Sequence, residues 1–229
     1  MELRVGVMEG VLKQPRESVF AVARELGFAG LEIEVRGDLE ALRRAARGSR
    51  LPVSSLICDG GGLGGADEDA RAVARARLLQ AVADADTLGA DGILLPQFDL
   101  AGLEDPEAVA RFVEDARRGA MEAEAHDVVI AWENALNAAD TREVIERVGS
   151  DCFRCYFDFA NAGKRGADPA WELESLSDLV YQVHAKNTNK QPLDGPGVDL
   201  QACLRVLKRR GYRGWIVLET PPGNDPPAS

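Results

Sequence analysis

This 229-residue chain predicts a single-domain α/β fold, a (β/α)8 TIM barrel, and three observations carry that prediction. Short β-rich runs recur along the chain, eight in all. Helix-like segments separate them. The joints between helix and strand also repeat: "ELGFAGLEI", "TLGADGILL" and "RRGYRGWIV" each place a glycine where a helix ends and another three residues later, before the next strand. A helix-ending glycine that feeds a parallel strand is the αβ connection of such barrels.

The predicted strands are "LRVGVM" (3–8), "GLEIEV" (30–35), "PVSSLI" (52–57), "GILLP" (92–96), "VVIAW" (128–132), "RCYFD" (154–158), "LVYQVH" (179–184) and "WIVLE" (215–219). "GILLP" and "WIVLE" are continuously apolar, as strands covered on both faces are. The segment "PRESVFAVARELG" carries proline near its start. "DEDARAVARARLLQAVADADTLG" opens on acids and closes on glycine; both arrangements mark helix ends. After the last strand only "TPPGNDPPAS" remains, too short and proline-rich for an eighth helix. The barrel is therefore expected over residues 1–220, with a flexible tail at 221–229 and a gap in the outer ring. That gap suggests a homo-oligomer.

Composition narrows the function. With 45% hydrophobic residues the chain can bury a core without disulfides or metal staples. A formal charge of -11 opposes phosphate backbones and anionic bilayers, so neither nucleic acid nor membrane is an expected partner. No apolar run is long enough to span a bilayer, and "MELRVGVMEG" lacks the features of a signal peptide, which makes the expected location cytoplasmic. Cys58, Cys152, Cys155 and Cys203 read as reduced thiols.

Chemistry in this fold sits where strands end at their C-termini. The last four predicted strands close alike: Glu133 directly follows the fifth, and Asp158, His184 and Glu219 end the sixth, seventh and eighth. Two carboxylates about 4 Å apart repel by roughly 4 kcal/mol at an effective dielectric of about 20. A divalent ion relieves that repulsion. Three carboxylates and one imidazole suit Mn2+, Mg2+ or Co2+, with Zn2+ the further option. The other histidine, His126, precedes Glu133 by seven residues, roughly 23 Å along a strand, and so belongs to the opposite end.

With these residues the sequence resembles the xylose isomerase-like TIM barrels, the broad sugar phosphate isomerase/epimerase group. The resemblance spans almost the whole chain and is strongest from "WEN" to "LET"; the four residues are spaced by 25, 26 and 35 positions. The resemblance implies a carbohydrate-like small-molecule substrate and proton transfer beside a carbonyl through an enediolate. Glu133 and Glu219 would be the acid and base on opposite faces of the carbon, besides being metal ligands with Asp158 and His184. It also implies substrate contacts from Lys186 and Lys190, from the second-strand acid Glu32, and from Asn161. Where many relatives have a histidine three residues after the strand-six aspartate, this chain has Asn161, and Asn187 stands where many have Asp. A metal-dependent lyase or dehydratase on the same site, or a barrel that binds a ligand without turnover, are the alternative readings.

Two weaker motifs remain. "GGGLGG" (60–65) contains G-x-G-x-x-G as Gly60, Gly62 and Gly65, yet the acid about twenty residues on, Asp84, falls within a helix. A flexible loop over the mouth, a lid, fits it better than a dinucleotide site. "CFRC" (152–155) enters strand six from the far end and reads as core packing.

Overall fold

In the computed structural model, which describes residues 3–100 and 102–221, eight parallel strands close in sequence order, β1 next to β2 and so on until β8 returns to β1. The strands are β1 (Arg4–Met8), β2 (Gly30–Glu34), β3 (Val53–Ile57), β4 (Gly92–Pro96), β5 (Val129–Glu133), β6 (Phe153–Asp158), β7 (Val180–Ala185) and β8 (Trp215–Leu218). Each of the eight predicted runs is therefore a strand, with ends moved by one residue at most. The helices are α1 (Glu9–Leu12), α2 (Arg16–Glu25), α3 (Leu39–Ser49), α4 (Glu68–Leu88), α5 (Pro106–Ala125), α6 (Ala138–Val148), α7 (Phe159–Lys164), α8 (Pro169–Ser175) and α9 (Leu200–Arg209). Among the described residues no helix follows β8, and the predicted tail falls almost wholly outside them.

Helix starts follow from side-chain chemistry. Asp38, Asp67, Asp105 and Asp168 each precede a helix and accept backbone N–H groups of its first turn. At the other end of α4, Gly89 takes φ +67, a left-handed conformation that costs glycine nothing. Gly92, three residues later, meets a different demand: a Cβ there would lie 2.8 Å from the Val129 carbonyl and 2.9 Å from the Tyr181 ring. One glycine turns the chain; the other lets strand and neighbour close up.

The main apolar core lies between barrel and helices, with Val7, Phe20, Ile33, Leu78, Phe112 and Phe153 at 1% exposure or less. A second, small cluster of Leu94, Ala131 and Tyr156 fills the barrel itself. Much of what else points inward is polar and crosses the lumen. Gln182 on β7 donates to the Ser54 carbonyl on β3 at 2.6 Å, and Tyr156 on β6 reaches Glu32 on β2.

The glycine-rich stretch after β3 is not a loose lid. The Gly60 amide donates to Pro96 O, Gly62 to Asp99 and Gly64 to Asp115 Oδ2, the last at 2.9 Å. Asp115 is fully buried and also takes a two-pronged hydrogen bond from Arg71 (2.9 and 3.0 Å) and one from Arg75 (3.0 Å). At Gly64 (φ +75) a Cβ would come within 2.8 Å of Phe112 Cβ. These glycines permit close packing, and the amides named are taken up within the chain. The expectation of a flexible lid missed this because Asp115, which takes the Gly64 amide, lies 51 residues away in sequence.

Candidate active site

Parallel register brings the four strand ends level. Asp158 pairs with His184 across β6 and β7, Pro96 with Glu133 across β4 and β5, and the Glu219 amide donates to Ala185 O one step above β8. Glu133, Asp158, His184 and Glu219 each offer one ligand atom, and those four atoms lie within 4.8 Å of one another.

Each side chain is held from a different direction. Asp158 caps α7: its Oδ1 accepts the amides of Ala160 (2.6 Å) and Asn161 (3.1 Å), which leaves Oδ2 free. Asn161 Nδ2 donates to Glu133 Oε1 at 3.2 Å. Lys186 Nζ sits 2.5 Å from Glu219 Oε1 and 3.9 Å from Asp158 Oδ2. His184 is 1% exposed. Its Nδ1 lies 3.1 Å from Glu219 Oε2 and 3.8 Å from Glu133 Oε1 without hydrogen-bond geometry to either.

Charge in this cluster is unbalanced. Burial, with Glu133 second, pushes Asp158 up to about 7. Burial would also raise Glu219, but His184 and Lys186 hold it down at about 2. His184 is pulled down by burial and lifted further by Glu32, Glu133 and Glu219, ending well above the ordinary imidazole range. His184 Nδ1 and Asp158 Oδ2 are both buried without a hydrogen-bond partner. Buried polar atoms left unpaired cost of the order of 1–3 kcal/mol each, so two of them aimed into one carboxylate-lined space fit a cation. The donor set, three carboxylates and one imidazole nitrogen, suits a divalent ion.

The remaining predicted residues divide. Asn161 stands at the site, against Glu133. Lys190 and Lys186 line a cleft of about 740 Å3 that opens over Glu219, and Lys164 joins them from α7. Glu32 does not reach this cleft. It is fully buried under His184, its Oε1 2.8 Å from Nε2 and its Oε2 accepting from Ser55 Oγ (2.5 Å) and the Tyr156 hydroxyl (2.7 Å). A strand residue two positions short of the barrel rim faces inward at the level below the four-residue cluster, which is why Glu32 meets the imidazole rather than the open side. Lys164 and Tyr156 were missed by the sequence reading. Tyr156 lies two residues before Asp158 and hence on the same face of β6, and Lys164 lies one helical turn after Asn161, so strand and helix periods could have located both.

His126, as expected, is elsewhere. It ends α5, where Nδ1 contacts Asp86 Oδ2 at 3.0 Å. All four cysteines are unpaired, and burial pushes the thiols of Cys58, Cys155 and Cys203 up to about 12, far from reactive. Among the described residues no helix is long and apolar enough to cross a membrane.

Residues 20–229 match the family described as Xylose isomerase-like TIM barrel. The chain belongs to that family. It is similar to the 2-epi-5-epi-valiolone 7-phosphate 2-epimerase of Actinoplanes sp., with 28% identity over 216 residues that cover 86% of this chain and 78% of that protein. Among solved structures it superimposes on the 3-keto-D-glucoside 4-epimerase YcjR of E. coli with a TM-score of 0.86 at 20% identity, covering 98% of this chain and 95% of that one. An L-ribulose 3-epimerase gives 0.85 at 22% identity, covering 96% and 82%. At that identity the two structures speak for the fold.

Proposed function

We propose that this isomerase/epimerase-type barrel acts on a sugar, sugar phosphate or hydroxy-keto acid, using a divalent metal ion and proton transfer at a carbon beside a carbonyl. The observation that carries the reading is the pair of buried, partnerless ligand atoms, His184 Nδ1 and Asp158 Oδ2, inside a four-residue set only 4.8 Å across. Glu133, Asp158, His184 and Glu219 would hold the ion. When bound, it supplies Lewis-acid polarisation of the substrate carbonyl and offsets the clustered negative charge.

The remaining chemistry belongs to the side chains. Glu133 and Glu219 enter the site from β5 and from the end of β8, on two sides of His184, so one carboxylate takes a proton from the substrate carbon and the other returns one. Asn161 orients Glu133 through its amide, and Lys186 orients Glu219. Three of the chain's five lysines, Lys164, Lys186 and Lys190, line the same cleft, which favours a substrate bearing a phosphate or carboxylate away from the reacting carbon. The Actinoplanes relative, whose name specifies a 7-phosphate, supports that preference.

The test is proton exchange. The protein, supplied with Mn2+ in D2O, is incubated with a panel of ketoses and ketose phosphates, and the products are read by NMR. Deuterium at the carbon beside the carbonyl, with an epimer or isomer formed, is the expected result. A dehydrated product would instead indicate a lyase. Absence of exchange across the panel would overturn the reading.

A further inference from the structure

Glu32 is a buried carboxylate with no contact to the cleft, and its oxygens divide their work. Oε1 faces His184 Nε2 at 2.8 Å; Oε2 takes the hydroxyls of Ser55 at 2.5 Å and Tyr156 at 2.7 Å. Glu32 and Ser55 are fully buried and Tyr156 and His184 are 1% exposed. The Tyr156 ring also packs against the imidazole, with centroids 4.4 Å apart and planes at 56°.

Burying a carboxylate is expensive unless it is paired and hydrogen-bonded, and apolar residues of similar volume would fill the space at lower cost. The charge therefore calls for a role other than filling. A neutral imidazole has one N–H and one lone pair, whereas a carboxylate only accepts. To take a cation the ring must be neutral; facing Glu32, Nε2 then keeps the proton, and Nδ1 presents its lone pair to the space shared by Glu133, Asp158 and Glu219. Ser55 on β3 and Tyr156 on β6 hold the carboxylate from two sides of the lumen, so it cannot swing away from the ring.

We propose that Glu32, clamped by Ser55 and Tyr156, is a positioning residue that sets the tautomer and ring orientation in which His184 takes a divalent ion. The inference rests on the reading of Glu133, Asp158, His184 and Glu219 as an ion site. Partners of this kind govern ion affinity through the ligand they orient.

The full-length wild type, Glu32→Gln and Tyr156→Phe are titrated with Mn2+ by calorimetry and loaded with Co2+ for visible absorption. The Glu32→Gln protein is expected to bind Mn2+ roughly ten- to a hundredfold more weakly, with a displaced Co2+ band. Tyr156→Phe, which loses one hydroxyl and keeps its ring, shifts both readouts in the same direction by less, whatever its effect on the melting temperature of the ion-free protein. Should Glu32→Gln fail to fold, Tyr156→Phe decides by the same two readouts. A purely structural role would lower the melting temperature and leave Kd and spectrum unmoved, and that outcome overturns the positioning role alone. A wild type that binds neither ion overturns the ion site, and the positioning role with it.

Discussion

Asp158 shows how one side chain can serve fold and site together. One oxygen caps α7 and the other stands without a hydrogen-bond partner in the cluster with Glu133, His184 and Glu219. Asparagine is an equally good N-cap, so Asp158→Asn should keep the helix start while ion affinity falls, whereas Asp158→Ala should lose about 1 kcal/mol of stability as well. Urea unfolding alongside Mn2+ titration separates the two. The pH dependence has a definite sign. Burial raises Asp158 from 3.8 to about 7 in the folded, ion-free protein, so its contribution to stability is full below about pH 4 and lost as pH rises through 7. Ion-free Asp158→Asn should accordingly gain on the wild type between pH 5 and pH 8 in thermal melts, by a margin that grows with pH. At the same scale, Glu133→Gln should cut deuterium exchange roughly a hundred- to ten-thousandfold, the usual reach of a general acid or base. The four residues of the cluster stood out in sequence because each closes an apolar run. The position of Glu32 did not, since a one-dimensional run does not show which rung of the barrel a residue occupies.

At the scale of elements, the strands could be read almost to the residue because a parallel sheet covered on both faces leaves continuous apolar runs bounded by helix-ending glycines. The loop after β3 could not. Its glycine pattern suggested mobility, but its conformation is fixed by Asp115, Arg71 and Arg75 from α5 and α4. Asp115→Ala leaves two arginines beside a vacated buried site and should cost about 3–5 kcal/mol in urea unfolding. Because Asp115 has no hydrogen bond or ion pair to Glu133, Asp158, His184 or Glu219, Mn2+ affinity of the folded variant should hold. Unchanged unfolding would mean that the loop is secured by its glycine packing instead. His126 at the end of α5 gives an independent check on element placement: Asp86 and Glu122 raise its pKa. Its NMR titration should therefore run above the ordinary imidazole value, and this contribution to stability, present at low pH, fades as pH climbs through that raised value.

For the whole molecule, closure of eight strands is what turns separate strand ends into one site, because residues from β5 to β8 meet only on a ring. Length, strand count and the repeated helix–strand joints sufficed to foresee that architecture. The polar lumen was not foreseen, since Gln182, Ser54, Glu32 and Tyr156 find one another only across the closed barrel. An ion held at the rim should stabilise the entire fold by mass action, about 2.7 kcal/mol at a hundredfold excess over Kd, seen as a concentration-dependent rise in melting temperature by calorimetry. The central claim, that these four side chains share one divalent ion, is tested most directly by anomalous diffraction from a crystal soaked in Mn2+. A single strong peak bonded to oxygens of Glu133, Asp158 and Glu219 and to Nδ1 of His184 is the predicted result. Its absence from that position, in crystals where the four side chains are well ordered, would contradict the account.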